Sequence, residues 1–223
     1  MIEPLRLTQA LVDKLPRSVS EEGPVLAASP HPEFYTETAA DILTKLHNPD
    51  ELWVFAIGSL IWNPRFEVVE RRRAHVKGWR RSFCLGPTQR FRGSPSAPGR
   101  MLALDRGGEC QGIAMRMKPE NMQAALADLL SKEPPVPPVW VQAESTKGIV
   151  PAIAFAMSHD FVMYSPEPPL EELADLLATA VGTIGTMAEY LLNTVTLLQE
   201  AGLDDPHLWQ LQEMVALRLE AMP

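Results

Sequence analysis

The sequence predicts an α+β fold: a small mixed β-barrel with flanking helices and a helical C-terminal part. Three observations predict it. Between residues 53 and 157 apolar residues come in short β-rich runs bounded by turn residues. One helical pattern, Pro119–Leu130, interrupts them, and after Tyr164 the spacing is helical to the end. Strands first and helices last is the order of an α+β chain, not of an alternating α/β one.

Residues 1–50 read as an N-terminal helical extension lying outside a domain that runs from 51 to 223. Helical spacing recurs at Leu7–Leu15 and Phe34–Leu46, separated by the Ser/Glu/Gly/Pro stretch Ser18–Pro32. The expected strands are Trp53–Ile57, Ala74–Trp79, Phe83–Leu85, Met101–Leu104, Gln111–Met117, Val139–Ala143 and Ile149–Met157. Within Pro119–Leu130, Met122, Ala125, Leu126, Leu129 and Leu130 share a helical face, and Leu170, Leu173, Leu177 and Val181 mark another. Thr186 followed by Glu189 is a capping-box signature, opening a helix that Gly202 closes. Asp205-Pro206 opens a last helix with Leu208, Leu211, Val215 and Leu219 inward.

Composition narrows the function classes. With 223 residues, 46% hydrophobic and 22% charged, the chain is long enough for a proper core and is neither disordered nor collagen-like. Cys84 and Cys110 form neither a disulfide framework nor a C-x-x-C pair, which fits a reduced, cytoplasmic protein. The start Met1-Ile-Glu-Pro-Leu-Arg builds no apolar signal core, and the longest apolar run, Leu52–Trp62, is short of the roughly 20 residues a membrane span requires. Nucleophile-elbow, zinc-helix, phosphate-loop and dinucleotide motifs are all missing, and the five histidines stand apart, so no metal or nucleotide cofactor is expected.

Charge is uneven. The net charge is −8, yet Arg65–Arg106 holds 11 Lys and Arg against 3 Asp and Glu. Such a segment suits a nucleic-acid surface, a pocket for a small anion, or a strand face paired with the acidic remainder. A nucleic-acid site also needs aromatic platforms or a basic helix, so no nucleic-acid partner is expected.

Two places draw attention as chemistry. The strand Trp53–Ile57 runs straight into Gly58-Ser59-Leu60-Ile61-Trp62-Asn63-Pro64. Gly58 allows a sharp turn, and the amides around Ser59 make an anion cradle, although an ordinary turn has the same composition. Glu133 ends a helical pattern against prolines 134, 135, 137 and 138. There the negative end of the helix dipole raises a carboxyl pKa toward that of a general base, and a plain surface glutamate beside Lys132 is the alternative.

Together these segments resemble the ChaC family of γ-glutamylcyclotransferases. The resemblance is carried by Val54-Phe-Ala-Ile-Gly-Ser-Leu-Ile-Trp-Asn-Pro64, Val76–Leu85, Arg92-Gly-Ser-Pro, Pro98–Leu104, Gly112-Ile-Ala, Val150–Phe155, Gly185–Leu191 and Gly202-Leu-Asp-Asp. It implies a barrel of the γ-glutamylcyclotransferase type and cofactor-free cleavage of glutathione to 5-oxoproline and cysteinylglycine. By the same resemblance Ile57, Gly58, Ser59 and Leu60 bind the glutamyl moiety, Glu133 is the acid/base residue, and Arg92 contacts a substrate carboxylate. The family pattern is broken where Ile57 replaces an aromatic, where Pro134 and the prolines after it replace a tyrosine-bearing loop, and where Met187 replaces an asparagine. These departures keep two alternatives open: a different γ-glutamyl amine as substrate, or a γ-glutamyl-binding homologue with little activity.

Overall fold

A computed structural model of the chain describes residues 4–24, 31 and 33–223; within the stretch Ser18–Pro32, residues 25–30 and 32 lie outside the described residues. The chain divides into two units. A barrel unit comprises Ala27–Arg81 and Leu104–Met157, and a helical unit comprises Met1–Leu26, Ser82–Ala103 and Ser158–Pro223. The expected extension is shared between them, and its residues Leu7, Val12, Ala39 and Ile42 are buried.

In chain order, α2 (Phe34–Thr44) precedes β1 (Trp53–Ala56), followed by β2 (Val68–Thr88), β3 (Gly99–Met117), α3 (Met122–Lys132), β4 (Val139–Ser145) and β5 (Gly148–Ala154). All of these belong to the barrel unit except residues 82–88 of β2 and 99–103 of β3, which belong to the helical unit. The strands close into a barrel in the order β1-β3-β2-β4-β5. Strand β1 pairs antiparallel with β3, from Trp53↔Arg116 to Ala56↔Ile113, and parallel with β5 at Trp53↔Ala152 and Val54↔Ile153. Strands β4 and β5 form a hairpin, and His75 of β2 pairs with Glu144 of β4. All four β1 residues are buried, as a strand occupied on both edges and both faces requires. Helix α3 buries Met122, Leu126, Leu129 and Leu130, the face its spacing predicts, and packs against α2.

In the helical unit, a single turn α1 (Gln9–Val12) packs on α5 (Met187–Glu200) and α6 (Pro206–Glu220), and α4 (Leu170–Thr179) packs on the same two helices. Between α4 and α5 lie two short paired strands, β6 (Val181–Gly182) and β7 (Gly185–Thr186). The expected caps form. Thr186 accepts from the Glu189 amide at 2.9 Å, Asp205 accepts from the Leu208 amide at 3.0 Å, and Gly202 closes α5 at φ +64°. One half of the capping box differs, because the Glu189 carboxylate pairs with Arg92 at 2.6 Å instead of reaching back along its own helix.

The strands depart most from expectation. Ala74–Trp79 and Phe83–Leu85 are parts of one 21-residue strand, and Met101–Leu104 and Gln111–Met117 are parts of one 19-residue strand. Charged residues and glycines break the apolar pattern there, at Arg80-Arg81 and Gly107-Gly108, without ending the strand. Val181, expected on the α4 face, starts β6 instead. Both cysteines are buried. Among the described residues no helix is long and apolar enough to cross a membrane.

Gly112 sets the spacing between β1 and β3. A Cβ there would stand 2.6 Å from the Ala56 carbonyl oxygen and 2.8 Å from the Phe55 ring, closer than atoms can approach. Gly112→Ala is therefore expected to cost about 1–3 kcal/mol, as overpacking does, read as a lower urea midpoint with an unchanged m-value.

Candidate active site

Strand β1 delivers the chain into the loop that the sequence singles out. Past the last β1–β3 pair, Ile57 and Gly58 are buried and Ser59–Ile61 forms one 3-10 turn. The turn is closed by Ile61 N–H to the Gly58 carbonyl at 2.9 Å and by Asn63 N–H to the Ser59 carbonyl at 2.7 Å. Leu60 and Ile61 bury their side chains while Ser59 is half-exposed. The first amides of a helical turn have no carbonyl behind them. Among the described residues the N–H groups of Gly58, Ser59 and Leu60 donate to no backbone carbonyl.

Two arginines of the basic segment hold this loop from β2. Arg81, 7% exposed, donates from Nε to the Ile57 carbonyl at 2.8 Å and from Nη2 to the Gln111 carbonyl at 2.6 Å. Arg71 donates from Nη1 to the Ile61 carbonyl at 3.2 Å, at the far end of the turn. Entry and exit of the loop are thus both fixed by guanidinium groups.

Glu133 is the C-cap of α3, with φ −102° and ψ 169°. Its extended backbone is what a following proline imposes, so Pro134 ends the helix and turns the glutamate out of the helical path. The side chain is half-buried, and burial pushes its carboxyl up to about 7. Desolvation is the leading cause, where the sequence pointed to the helix dipole. The positive charge of Arg65 opposes the rise. Arg65 follows Asn63-Pro64 at the loop's exit and adopts φ +62°. Its action on Glu133 puts the exit of the loop and the carboxyl within electrostatic reach of each other. At neutral pH such a carboxyl is divided between acid and base forms, which is the condition for moving a proton in both directions.

The structure places Ile57, Gly58, Ser59, Leu60 and Glu133 in the barrel unit and Arg92 in the helical unit. Arg92 is buried, donates from Nη1 to the Thr186 carbonyl at 2.9 Å and to Glu189, and lies 5.8 Å over the Tyr190 ring. Met187, the first residue of α5, is fully buried in that unit. Other cations of the basic segment are held in the same manner. Arg72 pairs with Glu70 and stacks over Trp53, Arg80 pairs with the buried Asp105, and Arg90 pairs with Glu22. Arg100 donates to the carbonyls of Phe83, Ser165 and Pro166. Among the histidines, His75 pairs with Glu109, His207 pairs with Glu167, and His159 stacks on Tyr164. Sequence reasoning gave Arg65, Arg71 and Arg81 no part in this loop. The basic segment signalled their presence, but the carbonyls that Arg71 and Arg81 reach, and the carboxyl on which Arg65 acts, depend on how the barrel unit folds.

Over 163 residues the chain is 37% identical to the glutathione-specific gamma-glutamylcyclotransferase of Escherichia coli (strain K12), which covers 70% of each protein. It is 28% identical over 212 residues to glutathione-specific gamma-glutamylcyclotransferase 1 of Mus musculus, covering 91% of this chain and 92% of that one. The crystal structure of a yeast gamma-glutamylcyclotransferase specific to glutathione shares the fold, with a TM-score of 0.66 at 20% identity over 76% of this chain and 99% of that chain. Residues 52–218, which hold the loop, its two arginines and Glu133, match the family described as ChaC-like protein, and the chain belongs to that family.

Proposed function

We propose that the chain is a glutathione-specific γ-glutamylcyclotransferase acting in the cytoplasm without a cofactor. The observation that carries the reading is the placement of the half-buried Glu133 carboxyl, at the C-terminus of α3 and with its pKa pushed up to about 7 by burial, in the same unit as the Gly58–Leu60 loop. The names of its relatives supply the substrate.

The reaction needs little beyond a pose and a proton relay. Glutathione carries its nucleophile, the glutamyl α-amine, on the same molecule as the γ-carbonyl. Closing a five-membered ring is therefore intramolecular, and well-oriented reactions of that kind reach effective molarities of about 10⁵–10⁸ M. Glu133 as carboxylate takes a proton from the α-ammonium. The freed amine attacks the γ-carbonyl carbon, and the oxygen gains negative charge that the loop amides stabilise. Glu133, now protonated, gives its proton to the cysteinyl nitrogen as the old amide bond breaks. One C–N bond forms and one breaks. The α-ammonium gives up two protons on its way to the lactam N–H, the first carried by Glu133 to the leaving nitrogen and the second passing after ring closure to the amine of the released cysteinylglycine. 5-Oxoproline and cysteinylglycine therefore leave with no net gain or loss of protons.

In this reading Arg92, engaged through Nη1 by Glu189 and the Thr186 carbonyl, steadies the start of α5. Ile57 favours a second substrate reading. It places a buried apolar side chain where the resembled family carries an aromatic, and that loss of a polar handle suits another γ-glutamyl amine. A panel of γ-glutamyl dipeptides separates the two by kcat/KM.

Glu133→Gln is expected to lower kcat by about 10²–10⁴, the range for loss of a general acid/base, with 5-oxoproline formation followed by mass spectrometry. In the parent protein kcat/KM should rise with pH through about 7, because the base form is the one required of free enzyme. A variant with parental turnover would remove Glu133 from the mechanism.

The same carboxyl leaves a mark on stability. Its folded pKa lies above its unfolded value, so the folded state binds the extra proton, and stability falls as pH rises from 4.5 to about 7 and is then level. Glu133→Gln abolishes that loss. At pH 8 the variant should be more stable than the parent by at most about 3 kcal/mol, at roughly 1.4 kcal/mol per pKa unit, and the two should converge below pH 4.5. Urea titrations at both pH values check the sign.

A further inference from the structure

Ile57 is the first residue past the registered β1–β3 ladder, which ends at Ala56↔Ile113. Its carbonyl accepts from Arg81 Nε at 2.8 Å, while Nη2 of the same guanidinium reaches the Gln111 carbonyl of β3 at 2.6 Å. One buried planar fork therefore ties the end of β1 to β3 and holds the Ile57–Gly58 peptide. A peptide group is planar and trans, so its C=O and N–H point to opposite sides. Fixing the Ile57 carbonyl on Arg81 aims the Gly58 N–H away from the guanidinium. That N–H is the first of the three loop amides that donate to no backbone carbonyl among the described residues.

We propose that Arg81 is the positioning residue of the loop, holding the Ile57–Gly58 peptide in the orientation that presents the Gly58 N–H to the γ-carbonyl oxygen of a γ-glutamyl substrate. This inference rests on the function proposed above. Arg81 touches no substrate atom and acts only through the peptide it holds. A lysine cannot replace it, because a single ammonium on a flexible stem lacks the rigid fork that spans two carbonyls.

The test uses the full chain. Loss of one oxyanion donor costs about 10²–10³ in kcat, so a misaimed donor in Arg81→Lys is expected to lower kcat by about 30–100-fold. KM for glutathione should stay within threefold, and the acid limb of the pH profile should not move, since Glu133 is untouched. Arg81→Ala should lose more and recover at least tenfold in millimolar guanidinium chloride, against a sodium chloride control. A defect of folding alone would show no such recovery.

Arg81→Lys with a native unfolding midpoint and kcat within threefold of the parent overturns the inference, whether or not Arg81→Ala folds. Failure of the proposed function looks different, because the parent itself then makes no 5-oxoproline from glutathione. In that event the same variants are compared on the γ-glutamyl dipeptide that the parent does turn over, with the same limits on kcat and KM, and no turnover of any γ-glutamyl dipeptide by the parent overturns the inference as well.

Discussion

Strand β1 is four residues long, and β3 and β5 occupy its two edges. That double pairing closes the barrel, and it forces Trp53–Ala56 to be wholly apolar and buried. It also dictates what happens next. Where the pairing stops, buried backbone groups lose their ladder partners, and each must find another or carry a penalty. The 3-10 turn satisfies the carbonyls of Gly58 and Ser59, and Arg81 and Arg71 satisfy those of Ile57 and Ile61. The acceptors at this end of the strand are met inside the protein, while the loop's leading donors are not. A loop that keeps N–H groups to spare suits an electron-rich oxygen, so the chemistry proposed for the site follows from how the barrel closes.

The basic segment makes sense on the same terms. Long strands β2 and β3 carry most of its arginines, and those side chains reach backbone carbonyls, buried carboxylates and aromatic faces within their own unit. A nucleic-acid surface needs cations displayed to solvent so that phosphates can replace their counterions. Here many of the cations are already spoken for. Arg80 lies against the buried Asp105, and Glu70 stands among Arg72, Arg116 and Lys147. Local charge excess along the sequence is thus a record of internal partners: Glu70 and Asp105 lie within the segment itself, while Glu22 and Glu189 come from distant ones.

What could be read in the sequence was what is local. Thr186, Gly202 and Asp205-Pro206 act on amides and carbonyls within a few residues, so the caps of α5 and α6 could be placed in advance. The face of α3 followed from period alone. Strand limits were harder, because a strand is ended by its partners, and β2 continues through Arg80-Arg81 since its neighbours continue. The position of Glu133 was legible from its helix and prolines, but the cause of its perturbation was not. Desolvation comes from residues packed around the carboxyl, and no spacing in the chain reports them. Glu189 shows the same limit, since its sequence context promises a bond to its own helix and Arg92, 97 residues away, claims the carboxylate.

A general base near pH 7 has to be built against the fold, because the burial that raises its pKa also opposes its charge. The local architecture around Glu133 answers that cost from two sides. On the folded side, the last turn of α3 is anchored by Leu129 and Leu130, both buried, so the helix end cannot fray to let water reach the carboxyl cheaply. On the unfolded side, Pro134, Pro135, Pro137 and Pro138 restrict the denatured chain just beyond the glutamate, and a proline that fits its native conformation stabilises by about 0.4–1 kcal/mol. The proline run replaces a tyrosine-bearing loop of the resembled family, so it removes a hydroxyl from the neighbourhood while stiffening the backbone that holds the Glu133 carboxyl. Stiffness in that position favours a carboxyl kept in one place, with its perturbation set by packing and by Arg65, over a carboxyl tuned by a hydrogen-bonding neighbour.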